Sequence, residues 1–391
     1  MFEVTRSEPL GHGLDTTRGP GEGGESRRLL MVGNFLSGHG LARGVGEELA
    51  DRLRVVGWPV VTTSDRLNRW ARWFQMMRVV RQHAGWAEVA HLDVFSGAAF
   101  LWAETAAAWL KRRGVPFVAT LHGGNLPRFA ARWPRRVKRV LSAARVVTAP
   151  SRYLADHMAG SRRDIRILPN PLEISRYPWR SRERPQPILV WLRALHRIYR
   201  PQLAAEVVAR LKRELPGIGL TLYGPDKGDG ARQDWEAAVA AFDVGREVSW
   251  AGGVPKADVP RALSGGDIFL NTTDVDNTPV SVIEAMACGL CVVSTNVGGT
   301  PYLIEEGHDG LLVPPGDAGA IAAAVLRLFR EPGLAGRLSV HARRKVEAYD
   351  WGAVLPQWMR LLREVADGGS ASMSHGSMKE NDSHGGTKTR R

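Results

Sequence analysis

Short apolar runs alternate with amphipathic stretches along residues 28–365. Runs at 29–32 (LLMV), 59–62, 89–94, 116–121, 145–148 and 165–168 have the length and aliphatic content of strands covered on both faces. Helical patterns separate them, one ending near residue 56 and one beginning at Asp65. A polar, Pro-containing segment at 180–187 (RSRERPQP) reads as a linker. The alternation then restarts, with strands at 188–191, 220–222, 248–250, 267–272 and 291–295 and helices at 201–215, 231–242, 280–288 and 318–329. A last helical pattern at 355–365 follows Trp351. Strand–helix alternation of this kind predicts parallel sheets with helices on both faces, an α/β fold. The restart predicts two doubly wound, Rossmann-like units of ordinary domain size, 28–180 and 185–350, with a C-terminal helix at 351–366 placed to pack back on the first. Residues 1–27 and 367–391 are rich in Gly, Ser and charge and are expected to be disordered.

The stretch 267–316 carries the densest chemistry. A buried strand leads to a polar turn at 274–278, and Pro279 suits the first position of a helix, where no N–H partner is needed. The helix 280–288 ends at Gly289, and Gly298 and Gly299 open a further loop after the strand 291–295. Asp276 stands before the helix and Glu284 inside it. Helix-start amides bind anions, and adjacent carboxylates suit hydroxyl groups. A nucleotide-sugar presents both, a diphosphate and two rings of hydroxyls. Ligands of open α/β sheets bind at the carboxyl ends of the strands. The loop after the first strand (GNFLSGHGLARGVG) would share that edge, with Gly38, Gly40, Gly44 and Gly46 allowing close backbone approach.

Composition narrows the class. The 391 residues are 44% hydrophobic and 24% charged, ordinary for a globular protein. No apolar run reaches the ~18–20 residues of a membrane span, and the N-terminus has no signal-peptide core, so a reducing cytoplasm is the expected compartment. The two cysteines, Cys288 and Cys291, form a C-x-x-C without further ligands for zinc and read as small buried hydrophobes. Neither a metal nor another cofactor is expected. The net charge of +13 is uneven: residues 1–180 hold 28 Lys and Arg against 15 Asp and Glu, while 181–391 hold 25 of each. An anionic partner is therefore expected for the first unit only.

With these residues in view, the chain resembles the family 4 retaining glycosyltransferases, which have the two-domain GT-B fold. Asp276-NTPVSVI-Glu284 followed by AMACGLCVV matches the family's acid-x7-Glu motif, with Asp in place of the usual Glu and Cys291 in place of the usual Pro. Further matches are ILPNPLEISRYP, ILVWLRAL, LTLYGPDKG, VSWAGGVPKADVPRAL and EGHDGLLVPPGD. The resemblance implies a sugar transferred from a nucleotide diphosphate-sugar with retention. It implies that Glu284 accepts hydrogen bonds from the donor ribose and Asp276 contacts the donor sugar. Backbone groups of Thr278, Pro279 and Val280 would meet sugar or phosphate. Arg193 would neutralise the diphosphate, and Arg197 or Arg200, with Arg200 preferred, would take the place of the family's Lys. His122, in TLHGGN, would lie beside the reacting sugar, and Gly38–Gly40 with Arg43 would form a diphosphate or acceptor loop. A sugar-nucleotide 2-epimerase and a non-catalytic sugar-nucleotide-binding module are the alternatives on the same fold.

Residues 66–81 (RLNRWARWFQMMRVVR) place Leu67, Trp70, Trp73, Phe74, Met77 and Val80 at helical spacing among five arginines. Such a helix suits either a core with a basic outer side or a membrane interface. Residues 128–139 add six cations. The two clusters predict contact with an anionic membrane surface, at the inner face of the membrane, and an acceptor that is a saccharide or lipid-linked. No helix-turn-helix, zinc-finger or RNA-binding signature accompanies the charge, so nucleic acid is not an expected partner.

Overall fold

The structure, a computed structural model, describes residues 26–39 and 44–374, the last six by their backbone alone. The first six strands are β1 (Leu29–Val32), β2 (Val60–Thr62), β3 (Val89–Val94), β4 (Phe117–Leu121), β5 (Val146–Ala149) and β6 (Ile165–Ile167). They form one parallel sheet in the order β2-β1-β3-β4-β5-β6. A second sheet contains β7 (Ile188–Leu192), β8 (Gly219–Tyr223), β9 (Val248–Trp250), β10 (Ile268–Asn271), β11 (Cys291–Thr295) and β12 (Leu311–Val313). It too is parallel, in the order β12-β11-β10-β7-β8-β9.

Helices α1 (Val45–Val55), α2 (Arg69–His83), α3 (Phe100–Arg112), α4 (Leu126–Arg132), α5 (Pro134–Ala143) and α6 (Arg152–Met158) connect the first sheet. The second is connected by α7 (Pro201–Leu211), α8 (Ala231–Ala241), α9 (Val259–Ser264), α10 (Val280–Ala287) and α11 (Thr300–Leu303), with α12 (Ala318–Arg330) and α13 (Leu334–Glu347) after its last strand. The chain ends its described part in α14 (Trp351–Ser374).

Strand periodicity assigns the two faces of each sheet. In β1, Leu30 and Val32 pack with α2, α3 and α5, while Leu29 and Met31 pack with α1 and α14. In β7, Leu189 and Trp191 face α7 and α12, and Val190 faces α10 and α13. Helix α14 therefore follows the second sheet in sequence but completes the core of the first. Trp351, Val354, Trp358, Leu361, Leu362 and Val365 are buried there. At roughly 1.5–3 kcal/mol per large buried side chain, that face contributes on the order of 10 kcal/mol before the entropy of ordering is subtracted.

Four features differ from the sequence expectation. Helix α2 starts at Arg69 rather than Asp65, because Asn68 caps it: Asn68 Oδ1 accepts the amides of Trp70 (3.0 Å) and Ala71 (3.1 Å). The 180–187 segment is strapped down rather than a free linker. The Arg182 guanidinium is fully buried and donates to Asp267 Oδ1 (3.1 Å) and to the carbonyls of Gly266 (3.0 Å) and Cys288 (2.8 Å). Strand β12 and helix α13 were not anticipated, the strand being only three residues long. Helix α14 runs to Ser374, past the 367 boundary drawn from composition. Residues 1–25 and 375–391, also expected to be disordered, lie outside the described residues.

Candidate active site

In the second sheet the strand order reverses between β7 and β10, the position where doubly wound sheets bind ligands. The chain leaves β7 into Arg193 and leaves β10 into the turn that carries Asp276. Their side chains meet: Arg193 Nη2 donates to Asp276 Oδ2, and Asp276 Oδ1 accepts the amide of Asn277 at 2.8 Å. The Arg193 guanidinium lies 4.8 Å from the centre of the Tyr199 ring. Burial lowers the pKa of Arg193 from its ordinary value, and its Nε has no partner.

Val280 is the first residue of α10, as the 280–288 reading has it, and Pro279 is its N-cap rather than a first helical position. No side chain caps this helix, although Thr278 Oγ1 and Ser281 Oγ stand at its start, both buried and without partners. The helix thus offers unpaired amides and two unpaired hydroxyls beside the Arg193–Asp276 pair. Val280 is exposed at the tip. Gly298 and Gly299 back this turn so closely that a β-carbon on either would overlap the carbonyl oxygen of Asp276 or Asn277.

Glu284 lies one turn into α10 and is 6% exposed. Its Oε1 accepts the Tyr177 hydroxyl at 2.8 Å. Burial raises the Glu284 pKa, an effect that the Tyr177 hydrogen bond and the charges of Lys256 and Arg193 only partly offset. Tyr177 is itself pushed well up, by burial first and then by the Glu284 charge. Lys256 also donates to Glu48 Oε1 on α1 (3.1 Å), so it links the two units next to this site.

The remaining basic candidates diverge. Arg200 is the N-cap of α7 in a left-handed conformation (φ 46°), and its Nε donates to Asp274 Oδ2 at 2.6 Å, two residues before Asp276. Arg197 instead donates to Asp234 on α8 (2.9 Å). On the first unit, His122 follows β4 and its Nε2 lies 2.7 Å from Asp93 Oδ1 at the end of β3. Phe95 stacks on the His122 ring, with centroids 4.7 Å apart. The loop after His122 touches the Asp276 turn: a β-carbon on Gly124 would lie 3.4 Å from Asn277 Cβ. Asn277 Oδ1 also accepts from Ser151 Oγ (3.3 Å). The carboxyl ends of both sheets therefore border one cleft. Gly38 sits in an exposed single turn of 3-10 helix with open space around it, while Gly40 and Arg43 lie outside the described residues.

Cys288 and Cys291 are buried and unpaired, and burial pushes their thiols up to about 11 and about 12. Among the described residues, one group brings possible metal donors together, Glu305, His308 and Asp309. There the Lys345 ammonium already contacts the Asp309 carboxylate.

Comparison with known proteins agrees with this geometry. Residues 38–176 match the profile of Glycosyltransferase Family 4, and residues 186–331 match that of Glycosyl transferases group 1. The chain belongs to the family 4, group 1 glycosyltransferases. Its fold is GT-B, as in the sucrose-phosphate synthase from Thermosynechococcus elongatus (TM-score 0.69, 18% identity, covering 88% of this chain and 100% of that one). The amylovoran biosynthesis glycosyltransferase AmsK of Erwinia amylovora is 39% identical over 118 residues, 29% of each protein. The GDP-mannose-dependent alpha-(1-6)-phosphatidylinositol monomannoside mannosyltransferase of Mycolicibacterium smegmatis is 26% identical over 253 residues, 59% of this chain and 65% of the relative. The aligned stretches thus span less than two thirds of these curated relatives.

Four site residues were not singled out from sequence: Tyr177, Lys256, Tyr199 and Asp93. Tyr177 and Lys256 are isolated in LEISRYP and VPKAD, and only the tertiary fold brings them to Glu284. Asp93 is the penultimate residue of a strand whose apolar pattern concealed it.

Proposed function

We propose that the chain is a retaining glycosyltransferase that moves a sugar from a nucleoside diphosphate-sugar to a saccharide or lipid-linked acceptor, in cell-envelope or exopolysaccharide biosynthesis. The observation that carries this reading is the Arg193–Asp276 pair set against the uncapped start of α10, with Glu284 buried behind it. As the bond from the anomeric carbon to the diphosphate breaks, the leaving oxygen gains negative charge. Arg193, supported by Arg200, and the α10 amides face that charge. Glu284 takes ribose hydroxyls in place of the Tyr177 hydroxyl. A retaining double displacement would need a carboxylate nucleophile, as in glycosidases with carboxylates about 5 Å apart. Here the acid nearest the α10 start is ion-paired to Arg193. A front-face route fits better: the acceptor oxygen bonds to the anomeric carbon on the side the phosphate leaves, and the departing phosphate oxygen takes the acceptor proton. Charge neutralisation is assigned to arginines rather than to a divalent metal. The relatives' names, one a biosynthetic glycosyltransferase and one GDP-mannose-dependent, support this reading over an epimerase or a non-catalytic module.

A thermal-shift panel of nucleoside diphosphates and their sugars tests the donor half. At least one nucleoside diphosphate should raise Tm. Glu284→Ala should weaken its binding about ten-fold or more, the scale of a hydrogen bond to a charged group, whereas Asp276→Ala should retain nucleotide binding and slow transfer. No shift with any nucleoside diphosphate would refute the transferase reading.

We further propose that the first unit rests on the inner face of an anionic membrane. The apolar stripe of α2 is divided. Met76, Met77 and Val80 are core, while Leu67, Trp70 and Phe74 are 54%, 67% and 64% exposed, and Arg69 and Arg78 are exposed on the same helix. Exposed aromatics among cations suit a headgroup interface. Arg72 faces elsewhere, donating to the carbonyls of Arg66 and Leu67. In the second cluster Arg136 is held by Glu104, while Trp133 is exposed. No helix among the described residues is long and apolar enough to cross a membrane. In flotation with phosphatidylglycerol-containing vesicles, Arg69→Glu/Arg78→Glu should reduce binding more than ten-fold. Each reversal removes ~1 kcal/mol of attraction and adds a similar repulsion. Unchanged flotation would exclude α2 as the contact.

A further inference from the structure

Asn277 stands directly after Asp276, in the turn before α10. The usual local reasons for Asn in such a turn are a left-handed backbone or a helix cap. Neither applies. Among the described residues the non-glycine positions with positive φ are Arg200 and Asp243, and no side chain caps α10. The Asn277 side chain instead crosses the cleft. Its Oδ1 accepts the Ser151 hydroxyl at 3.3 Å, and a β-carbon on Gly124, two residues after His122, would lie 3.4 Å from Asn277 Cβ.

Ser151 is a fixed donor. It is the N-cap of α6, where its Oγ accepts the Leu154 amide at 3.3 Å, and its hydroxyl proton is left to donate. Leu154 is fully buried in the first unit. Two residues beyond Ser151, the Tyr153 ring meets the Tyr302 ring of α11 edge-on, with centroids 5.8 Å apart. Helix α11 begins beside Gly299, whose amide donates to the Asp276 carbonyl at 2.9 Å. The start of α6 therefore touches both the Asp276 turn and the segment that backs it. Asn277 also holds the acid itself. Its amide donates to Asp276 Oδ1 at 2.8 Å, while Asp276 Oδ2 takes Arg193. One residue thus meets the first unit through its side chain and Asp276 through its backbone.

We infer that Asn277 is a positioning residue: its hydrogen bond with Ser151 sets the Asp276 turn, and with it the Arg193–Asp276 pair, in the register with the first unit at which transfer occurs. The inference rests on the transferase reading. A nucleotide held by the second unit does not need this contact. Transfer to an acceptor on the first unit does, because a small misplacement of the reacting groups is costly. Loss of the bond therefore falls on kcat and spares nucleotide affinity.

The test uses the full chain with Asn277→Ala, Ser151→Ala, the double variant and Ser151→Thr. Hydrogen exchange read by mass spectrometry, without ligand, reports the contact. Ser151→Ala, a change in the first unit, should speed exchange at Asn277 and Gly299 in the second about five-fold, the scale of one neutral hydrogen bond, and Ser151→Thr should restore the rate. Transfer is followed as nucleoside diphosphate release from whichever of UDP-glucose, ADP-glucose and GDP-mannose raises Tm, with methyl glucoside and methyl mannoside as acceptors. Each Ala variant should lower kcat about five- to ten-fold with KM for the donor unchanged, and the double variant should lose no more than the worse single one. Losses that multiply in the double variant would mean that Ser151 acts only as the α6 cap and Asn277 only within its own turn, and would overturn the inference. A raised KM with unchanged kcat would overturn it too. Should Ser151→Ala not fold, Asn277→Ala leaves the α6 cap intact and carries the comparison, its exchange being read at the start of α6. Intact nucleotide binding with unchanged exchange and turnover in the variants overturns this inference alone. Absence of binding of UDP, ADP and GDP to the unmodified chain overturns the transferase reading and this inference with it.

Discussion

Replacing Arg193 with Ala should lower the turnover of sugar transfer about 10²–10³-fold, the range found when one preorganised donor to developing negative charge is removed. The residue is unusually committed for a cation. Its side chain is 16% exposed, it lies over Tyr199, and its Nε is buried without a partner. Little reorganisation is then needed when the diphosphate leaves. The present partner of Arg193, Asp276, is already half satisfied by the Asn277 amide, so exchange of that carboxylate for a phosphate oxygen leaves neither group stranded. Arg193→Lys should fall between the two, since Lys keeps the charge but loses the planar fork and the stacking on Tyr199. Separate measurement of kcat and KM decides the matter. A raised KM with unchanged kcat would mean that Arg193 binds donor and transition state equally, and that the leaving-group role belongs elsewhere.

The parts of this site legible from sequence are those whose chemistry is local. Asp276 and Glu284 are tied by one helix start, and the strand before and the glycine after that helix are visible in a single stretch. Arg193 is reached through the family resemblance, by its place directly after a buried strand. The central strands were legible because, in an apolar run covered on both faces, burial and β-propensity agree. What could not be read depends on residues brought together over long separations. Tyr177 is 107 residues from Glu284 and Asp93 is 29 from His122. The α2 stripe shows the limit from the other side. Its spacing is helical from Leu67 to Val80, yet only its second half meets the sheet, because periodicity says which residues share a face and not how much of that face is covered. The 180–187 segment misled for a related reason: Arg and Pro mark a linker in composition, but a buried carboxylate elsewhere can pull such a segment inside.

That carboxylate, Asp267, is the site of the largest expected loss of stability. Asp267→Ala should lower the unfolding free energy by about 3–5 kcal/mol, the cost of breaking a buried ion pair from one side. Asp267 is 1% exposed and holds three groups: the Arg182 guanidinium through Oδ1, that of Arg180, and the Gln186 amide through Oδ2 at 2.7 Å. Removing it leaves Arg182, also 1% exposed, with only carbonyl partners for its charge. Burial already lowers the Arg182 pKa, and Asp267 is the chief group opposing that shift. The comparison that isolates charge from packing is the double variant Arg182→Met/Asp267→Ala. It removes both charges while keeping an apolar side chain in the place of Arg182, so it should lose less than Asp267→Ala alone. Urea unfolding followed by tryptophan fluorescence reads both, and Trp191, buried in the second sheet, reports on the unit concerned. A double variant at least as unstable as the single one would show that the segment is held by its hydrogen bonds to Gly266 and Cys288 rather than by the ion pair. The strap also bears on function, because it fixes where the chain passes from one wall of the cleft to the other. Asp267 directly precedes Ile268, which is paired in register with Cys291 in the β10–β11 ladder, and the Cys291 amide donates to the Asp267 carbonyl at 2.9 Å. The same strand β10 delivers Asp276. A loosened strap should therefore shift the loop that presents Asp276 to Arg193 before the domain unfolds, and transfer in Asp267→Ala should decline at temperatures below its own melting transition.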